Sequence, residues 1–367
     1  MIKKLLMVLT NGFEPDVRVY KEAKYLVSIG LSVSIICWDR DCNENLPLDE
    51  IIDGIRIIRK RIKSKYGTGF KQLPRFVSFL KEVKKHIKQE EYDAYHCHDI
   101  DGAIIGFLIK TKSKRFVFDM HEFYEKKNAI SRFFWRHLTI FLVKKSMFGL
   151  YTTDNYLSTK YKAISNKIFP LKNYPDHAMI QTLTKTNSNF FRIGYHGSLR
   201  NQIPHFFALF EATKNLTNVQ IDINGGGIDY EKLKPLESKY PNVRINGPYN
   251  GITQSSKLYA ETDLLFCPYD LSDPNYSNNT EVVKYFEAII TGTPILVTSG
   301  IGIAKKVEDN GFGVSCDTCN SKEILKCLNR FINDKSFWEK CHKNELLKKN
   351  DFTWESAVSI LKEKYGV

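Results

Sequence analysis

The residues of this sequence that could do chemistry gather where apolar runs end. Thr10-Asn11-Gly12 closes the run 4–10, and His96-Cys97-His98-Asp99-Ile100-Asp101 and Asp119-Met120-His121-Glu122 close two more. In the second half His196-Gly197-Ser198-Leu199-Arg200, Gly225-Gly226-Gly227 and Gly247-Pro248-Tyr249 stand at such points. The segment 278–292 opens a helix with Asn278-Asn279-Thr280-Glu281, and Lys284 and Glu287 follow three residues apart on one helix face. Glycine turns and helix N-termini suit a diphosphate. A cation near that phosphate and a carboxylate accepting two ribose hydroxyls would employ Lys284 and Glu287. Spacing alone fits an ordinary surface ion pair at least as well.

Such residues need elements to position them, and the hydropathy pattern supplies these. Stretches 4–10, 32–38, 51–59, 92–96, 115–120 and 149–153 read as strands, several apolar throughout, as parallel strands buried on both faces are. Helices are expected over 17–29, 76–88, from 102, and over 131–147; Val17, Tyr20, Ala23, Leu26 and Val27 form the expected buried face of the first. Pro170 and Pro175, then a polar stretch at 182–189, mark a boundary. The rhythm restarts with strands at 191–195, 219–224, 243–245, 263–268 and 294–297 and helices at 203–216, 282–291, 321–333, 337–349 and from 352. This alternation predicts an α/β chain of two Rossmann-like, doubly wound parallel-sheet domains facing a cleft. The expected bounds are 1–174 and 175–350, with a terminal helix at 351–367 packing back on the N-terminal domain. Ligands in such sheets bind beyond the carboxyl ends of the strands, where the polar clusters fall.

With 367 residues, 43% hydrophobic and 26% charged, the chain is neither disordered nor a small disulfide scaffold. The net charge of +13 resides entirely in 1–175, where 32 Lys and Arg face 19 Asp and Glu. One basic group is Arg56, Arg59, Lys60, Arg61, Lys63 and Lys65, continued by Lys81, Lys84, Lys85 and Lys88. Another sets Lys126, Lys127, Arg132, Arg136, Lys144 and Lys145 among Phe133, Phe134 and Trp135. Aromatic residues among cations suit a helix lying on an anionic membrane; no motif for nucleic acid accompanies the charge. The scattered cysteines read as thiols of a reducing compartment. Cys316-Asp317-Thr318-Cys319, with Cys327, Cys341 and His342, lacks the spacing of a compact zinc site. The expected location is cytoplasmic, peripheral on the inner face of the cell membrane. Gly225-Gly226-Gly227 lacks the dinucleotide fingerprint, which argues against hydride transfer.

Taken in order, the clusters resemble family 4 glycosyltransferases of the two-Rossmann, GT-B kind. The resemblance spans nearly the whole chain. It rests on His98-Asp99-Ile100-Asp101, then Asp119-Met120-His121-Glu122, Asn173-Tyr174-Pro175, Tyr195-His196-Gly197-Ser198-Leu199, and Lys284-Tyr285-Phe286-Glu287 with Gly292 and Pro294. It implies retaining, hexosyl-type transfer from a nucleotide-diphosphate sugar to a saccharide or lipid-linked acceptor, as in bacterial surface-polysaccharide or glycolipid synthesis. UDP is favoured over GDP, and neither a cofactor nor a metal is required.

The resemblance also implies roles. The C-terminal half takes the donor through Gly197, Ser198, Arg200, Gly226, Tyr249, Asn279, Thr280, Lys284 and Glu287, with Gly12 bringing backbone close to the diphosphate. Glu287 holds the ribose, His121 touches the donor sugar, and Lys284 and Arg200 carry charge for the diphosphate. His98, Asp99, Glu122 and His196 are expected at the acceptor or cleft, Asp99 equally as a helix cap and His96 as a structural residue. Asn279 stands where many members have a glutamate, and Ser198 where they have an arginine. Asp99-Ile100-Asp101 is also the metal-binding signature of the other large glycosyltransferase fold, but two comparable halves argue against that fold. A nucleotide-sugar epimerase and a catalytically silent membrane adaptor are the rival functions.

Overall fold

The computed structural model describes residues 2–14, 16–65, 69–124, 128–272 and 282–366. The chain divides into two compact units, Met1–Lys172 with Ala357–Val367, and Asn173–Ser356.

In the first unit β1 (Lys4–Leu9), β2 (Ser32–Asp39), β3 (Asp49–Ile52), β4 (Ile55–Arg61), β5 (Ala94–His98), β6 (Arg115–Met120), β7 (Gly149–Tyr151) and β8 (Ile168–Pro170) form one sheet in the order β3-β4-β2-β1-β5-β6-β7-β8. All neighbours are parallel except β3 and β4. The stretch 51–59, expected as one strand, is therefore a hairpin. Asp53 and Gly54 both have positive φ, +50° and +78°, as a two-residue hairpin turn requires. The helices are α1 (Val17–Ser28), α2 (Leu73–Gln89), α3 (Asp99–Ile109) and α4 (Ala129–Lys145). Asp16 caps α1 by accepting from the Val19 amide, and Asn128 caps α4 through the Ile130 and Ser131 amides. Phe79, Val83, Ala103, Ile105, Leu142 and Val143 of α2, α3 and α4 share one core with Leu6, Val8, Phe116 and Phe118 of the strands.

The second unit holds β9 (Phe191–His196), β10 (Val219–Asn224), β11 (Val243–Gly247), β12 (Leu264–Cys267), β13 (Ile295–Thr298) and β14 (Gly313–Cys316) in the order β11-β10-β9-β12-β13-β14, all parallel. Its helices are α5 (Ile203–Thr213), α6 (Tyr230–Leu233), α7 (Ser255–Ala260), α8 (Val283–Thr291), α9 (Gly302–Asp309), α10 (Ser321–Asn333) and α11 (Lys335–Lys348). Two apolar clusters flank the sheet, one drawing on α5 and α10, the other on α7, α8 and α9. Gly292 ends α8 in the left-handed conformation, φ +63°. The last helix, α12 (Trp354–Tyr365), buries Val358, Leu361 and Tyr365. Apart from the antiparallel edge strand β3, both sheets are thus parallel, the two-domain α/β architecture the pattern predicted.

Candidate active site

In the first unit β5 and β6 lie side by side, with His98 paired to Asp119 in register. Their carboxyl ends therefore bring His98, Asp99, Asp119 and His121 together. Asp119 is fully buried, and His121 Nε2 donates to its Oδ2 at 2.6 Å. His98 Nδ1 lies 3.2 Å from the same oxygen and 3.1 Å from His121 Nε2. The other edge of His121 faces Asp99, Nδ1 to Oδ2, at 3.6 Å. Asp99 has φ +58° and accepts from the Tyr124 hydroxyl at 2.8 Å. It does not cap α3: His98 holds the N-cap position, without a side-chain bond. Hydroxyls pin the turn itself, Thr152 donating to the His121 carbonyl and Tyr156 to the Glu122 carbonyl. The Glu122 side chain is exposed.

Two residues not anticipated complete this cluster. Arg18 of α1 is buried and donates to both oxygens of Asp119, at 3.0 and 2.6 Å, and to the Leu171 carbonyl. Glu22, one turn on and fully buried, lies 3.0 Å from Arg18 Nε. Helix α1 buries Tyr20, Ala23 and Leu26 of the expected face but exposes Val17, and its buried surface extends further round, to Arg18, Lys21 and Glu22. The i, i+4 spacing of Arg18 and Glu22 beside the apolar positions of the helix was the available signal.

The charges settle one another. Burial opposes ionisation of Asp119, but Arg18 and His121 hold its carboxyl well below the usual range. Burial also works against a charged His121, yet Asp99 and Asp119 raise it to about 10. At neutral pH His121 is therefore an imidazolium: it donates hydrogen bonds and is no general base. Burial lowers His98, keeping it neutral. Glu22, His98, Asp119 and His121 bring atoms able to ligate a metal within 4.8 Å of one another. The Arg18 guanidinium already occupies both Asp119 oxygens and flanks Glu22, so the group is a compensated ion cluster rather than a cation site.

Gly12 follows β1 in the same unit. Its carbonyl accepts from Arg59 Nε at 3.2 Å and is turned into the domain. The unusual backbone is at Phe13, with φ +52° and its ring buried.

The second unit assembles a different site. Gly197, after β9, has φ +145°, and a Cβ there would stand 3.1 Å from Lys284 Nζ. A side chain on Gly225 would strike the Gly197 carbonyl, so the two turns pass as bare backbone. Lys284 is buried on the first turn of α8, with its ammonium 3.9 Å from the Tyr195 ring centre and 5.3 Å from that of Tyr269. Among the described residues no carboxylate lies within ion-pair distance of Lys284. Glu287, one turn on, accepts from the Tyr259 hydroxyl at 3.0 Å. Its charge, after burial, helps push the half-buried Tyr249 hydroxyl upward. Ser198 is exposed and its carbonyl accepts from Tyr195. The Gly226 carbonyl accepts from the Leu199 amide. Arg200 is exposed and forms no ion pair among the described residues.

His196, expected at the cleft, is instead a wall of this unit's core. It is 2% exposed, with Nε2 3.0 Å from Thr262 Oγ1 and Nδ1 accepting from Asn224 at 3.2 Å. Burial, then Lys284 and Lys185, depress it to about 3, so it is neutral. Asn279, Thr280, Lys126 and Lys127 lie outside the described residues.

Comparison with known proteins finds likeness to part of the chain and to nearly all of it. Residues 16–147, which carry the His121 cluster, match the family described as Glycosyltransferase Family 4. An uncharacterized glycosyltransferase of Haemophilus influenzae is 21% identical over 290 residues, 77% of this chain and 79% of that protein. Among solved structures, sucrose-phosphate synthase from Thermosynechococcus elongatus superposes with a TM-score of 0.78 at 13% identity, over 99% of this chain and 98% of the other. Anabaena HepE in complex with UDP-glucose gives 0.72 at 14% identity, over 99% of each.

Proposed function

We propose that this chain is a family 4 glycosyltransferase of the GT-B fold moving sugar from a nucleotide-sugar donor, that the donor is a UDP-hexose and that the acceptor is a saccharide or lipid-linked glycan. The observation that carries this reading is Lys284: a buried ammonium on aromatic faces beside bare glycine backbone, with no carboxylate among the described residues to neutralise it. Such a cation seeks an anion. A diphosphate across Gly197 and the first turn of α8 meets Lys284, with Arg200 as a second, exposed cation. Glu287, one turn along α8, then accepts from the two ribose hydroxyls, and Tyr249 offers an aromatic face to the base. The UDP preference draws on the likeness to HepE, a protein solved with UDP-glucose.

A nucleoside diphosphate is already a good leaving group. What lowers the barrier is fixed positive charge where the negative charge grows, and Lys284 supplies it without reorganisation. His121, as an imidazolium, donates to a hydroxyl of the transferred sugar. Since Lys284 answers the diphosphate charge, no divalent ion is obligatory. Retention draws instead on the likeness to family 4: the acceptor enters on the face the diphosphate leaves, and the departing diphosphate takes its proton.

The acceptor is brought by a membrane. On α4, Ile130, Phe133, Phe134 and Phe141 share one stripe, and the first three are 82%, 63% and 57% exposed. Arg132, Arg136, Lys144 and Lys145 flank the stripe, the composition of a helix that beds on anionic lipid. Among the described residues no helix is long and apolar enough to cross a bilayer.

Incubation with labelled nucleotide sugars and a membrane extract tests the reading. Sugar appearing in a lipid or glycan fraction supports it. An isomerised nucleotide sugar would replace it with an epimerase, and no turnover of any donor with a silent adaptor.

A further inference from the structure

The ion cluster of the first unit does not end at Glu22. His96 Nε2 lies 3.2 Å from Glu22 Oε2, and His96 Nδ1 lies 2.8 Å from the hydroxyl of Tyr365, in the last turn of α12. A file of contacts therefore runs from Tyr365 through His96, Glu22, Arg18 and Asp119 to His121, with every member before His121 buried. Residues from α12, β5, α1 and β6 meet in it.

The chemistry of the file follows from its proton count. Burial depresses His96 to about 4, so its ring carries one proton. Burial, then Glu22, pushes the Tyr365 phenol upward, so it keeps its proton and donates it to Nδ1. The ring's own proton must then be on Nε2, facing Glu22. Glu22 is the soft member. Burial and Asp119 raise it to about 7, opposed by Arg18, His98 and His121. Neither of its oxygens has an aligned hydrogen bond, although Arg18 and His96 stand close. The ionisable groups facing it are thus Arg18 on its own helix, His96 and His98 of β5, Asp119 and His121 at the end of β6, and Tyr365 of α12.

We infer that the Tyr365 hydroxyl is a positioning group for His121: it fixes the His96 tautomer that offers a proton to Glu22, keeps Glu22 charged beside Arg18, and so sets how Arg18 seats Asp119 against His121. The terminal helix thereby governs the charged histidine from the opposite end of the sequence.

Tyr365→Phe keeps the ring against Phe148 and His96, at 5.7 and 6.2 Å, and removes only the oxygen. The full chain is labelled with 15N-histidine and titrated by NMR, with His96 and His121 assigned through His96→Asn and His121→Gln. In the wild type His96 shows one Nε2–H tautomer, and the His121 signals carry a step near pH 7 as Glu22 ionises. In Tyr365→Phe the His96 tautomers mix and the step moves up by about half a pH unit or more. Glu22→Gln abolishes the step. Only the turnover arm rests on the sugar-transfer reading: Tyr365→Phe loses about threefold or more in kcat below neutral pH, at unchanged donor KM, and recovers at alkaline pH as Glu22 ionises. A purely structural role would lower the rate at every pH. A single unchanged tautomer, an unmoved step, a step surviving Glu22→Gln, or a wild-type kcat profile in the phenylalanine variant would each overturn the inference. A wild type inactive on all donors would instead defeat the sugar-transfer reading, and the NMR arm would still decide the relay.

Discussion

The two units handle buried charge in opposite ways. In the first, Arg18, Glu22, Asp119, His121 and Asp99 form a closed account in which cation and carboxylate alternate at 2.6 to 3.6 Å. In the second, Lys284 rests on the faces of Tyr195 and Tyr269, with no carboxylate near it among the described residues. A compensated cluster has little attraction left for an ionic ligand but holds a side chain rigidly. An uncompensated buried ammonium is costly alone and gains most when an anion arrives. One unit holds a charged histidine in place; the other keeps a cation open to an anion, in the proposed function the donor's diphosphate.

Breaking the account in the first unit has the largest expected effect on the fold. Asp119→Ala strands Arg18 and His121 and is expected to cost about 3 kcal/mol or more of stability in urea denaturation. Lys284→Met loses only an ammonium on tyrosine rings, so stability changes little. Turnover of the nucleotide sugar should fall by about 10²–10³ in kcat/KM. A stability loss as large as that of Asp119→Ala would erase the contrast between the units.

Glu287→Ala sharpens the contrast within the second unit, weakening nucleotide binding by about tenfold in calorimetry through loss of a charged hydrogen bond. Unchanged affinity would remove Glu287 from the site. Titration separates the units further. His121 is raised from 6.5 to about 10 on folding, so its stabilising share is complete below pH 6.5 and fades as pH climbs toward 10. His121→Gln should flatten this decline in denaturation midpoints measured across that window. The smallest effect belongs to α4. Phe133→Ser with Phe134→Ser should lower retention on anionic vesicles at low salt while leaving stability nearly unchanged. Equal retention would retire the membrane reading.

Much of the frame is readable in the sequence because parallel strands buried on both faces advertise themselves. Leu5–Leu9, Ser32–Trp38 and Phe116–Met120 are nearly continuous apolar runs, and the polar residues following them mark the carboxyl ends. The hairpin at Asp53-Gly54 escaped because two short strands and a two-residue turn look like one strand when the turn chemistry is overlooked. Arg18 and Glu22 escaped because charges on an amphipathic helix are ordinarily assigned to solvent. Only the position of Asp119, more than a hundred residues on, makes burying them worthwhile. His196 failed as a cleft residue for the converse reason: a strand-end histidine looks available until Asn224 and Thr262, from elsewhere in the fold, take both ring nitrogens.

The sequence by itself determined the periodicities, hence the two sheets, and the local motifs, hence the placing of Lys284 and Glu287 one turn apart on α8 and of Asp119 and His121 together at the end of β6. These depend on spacings of two to four residues, which the chain carries wherever it goes. Tertiary structure alone decided which charges would be neutralised and which left open. The energy of a buried charge depends on what faces it within a few ångströms, and those neighbours come from residues such as Tyr365 and His96, 269 positions apart.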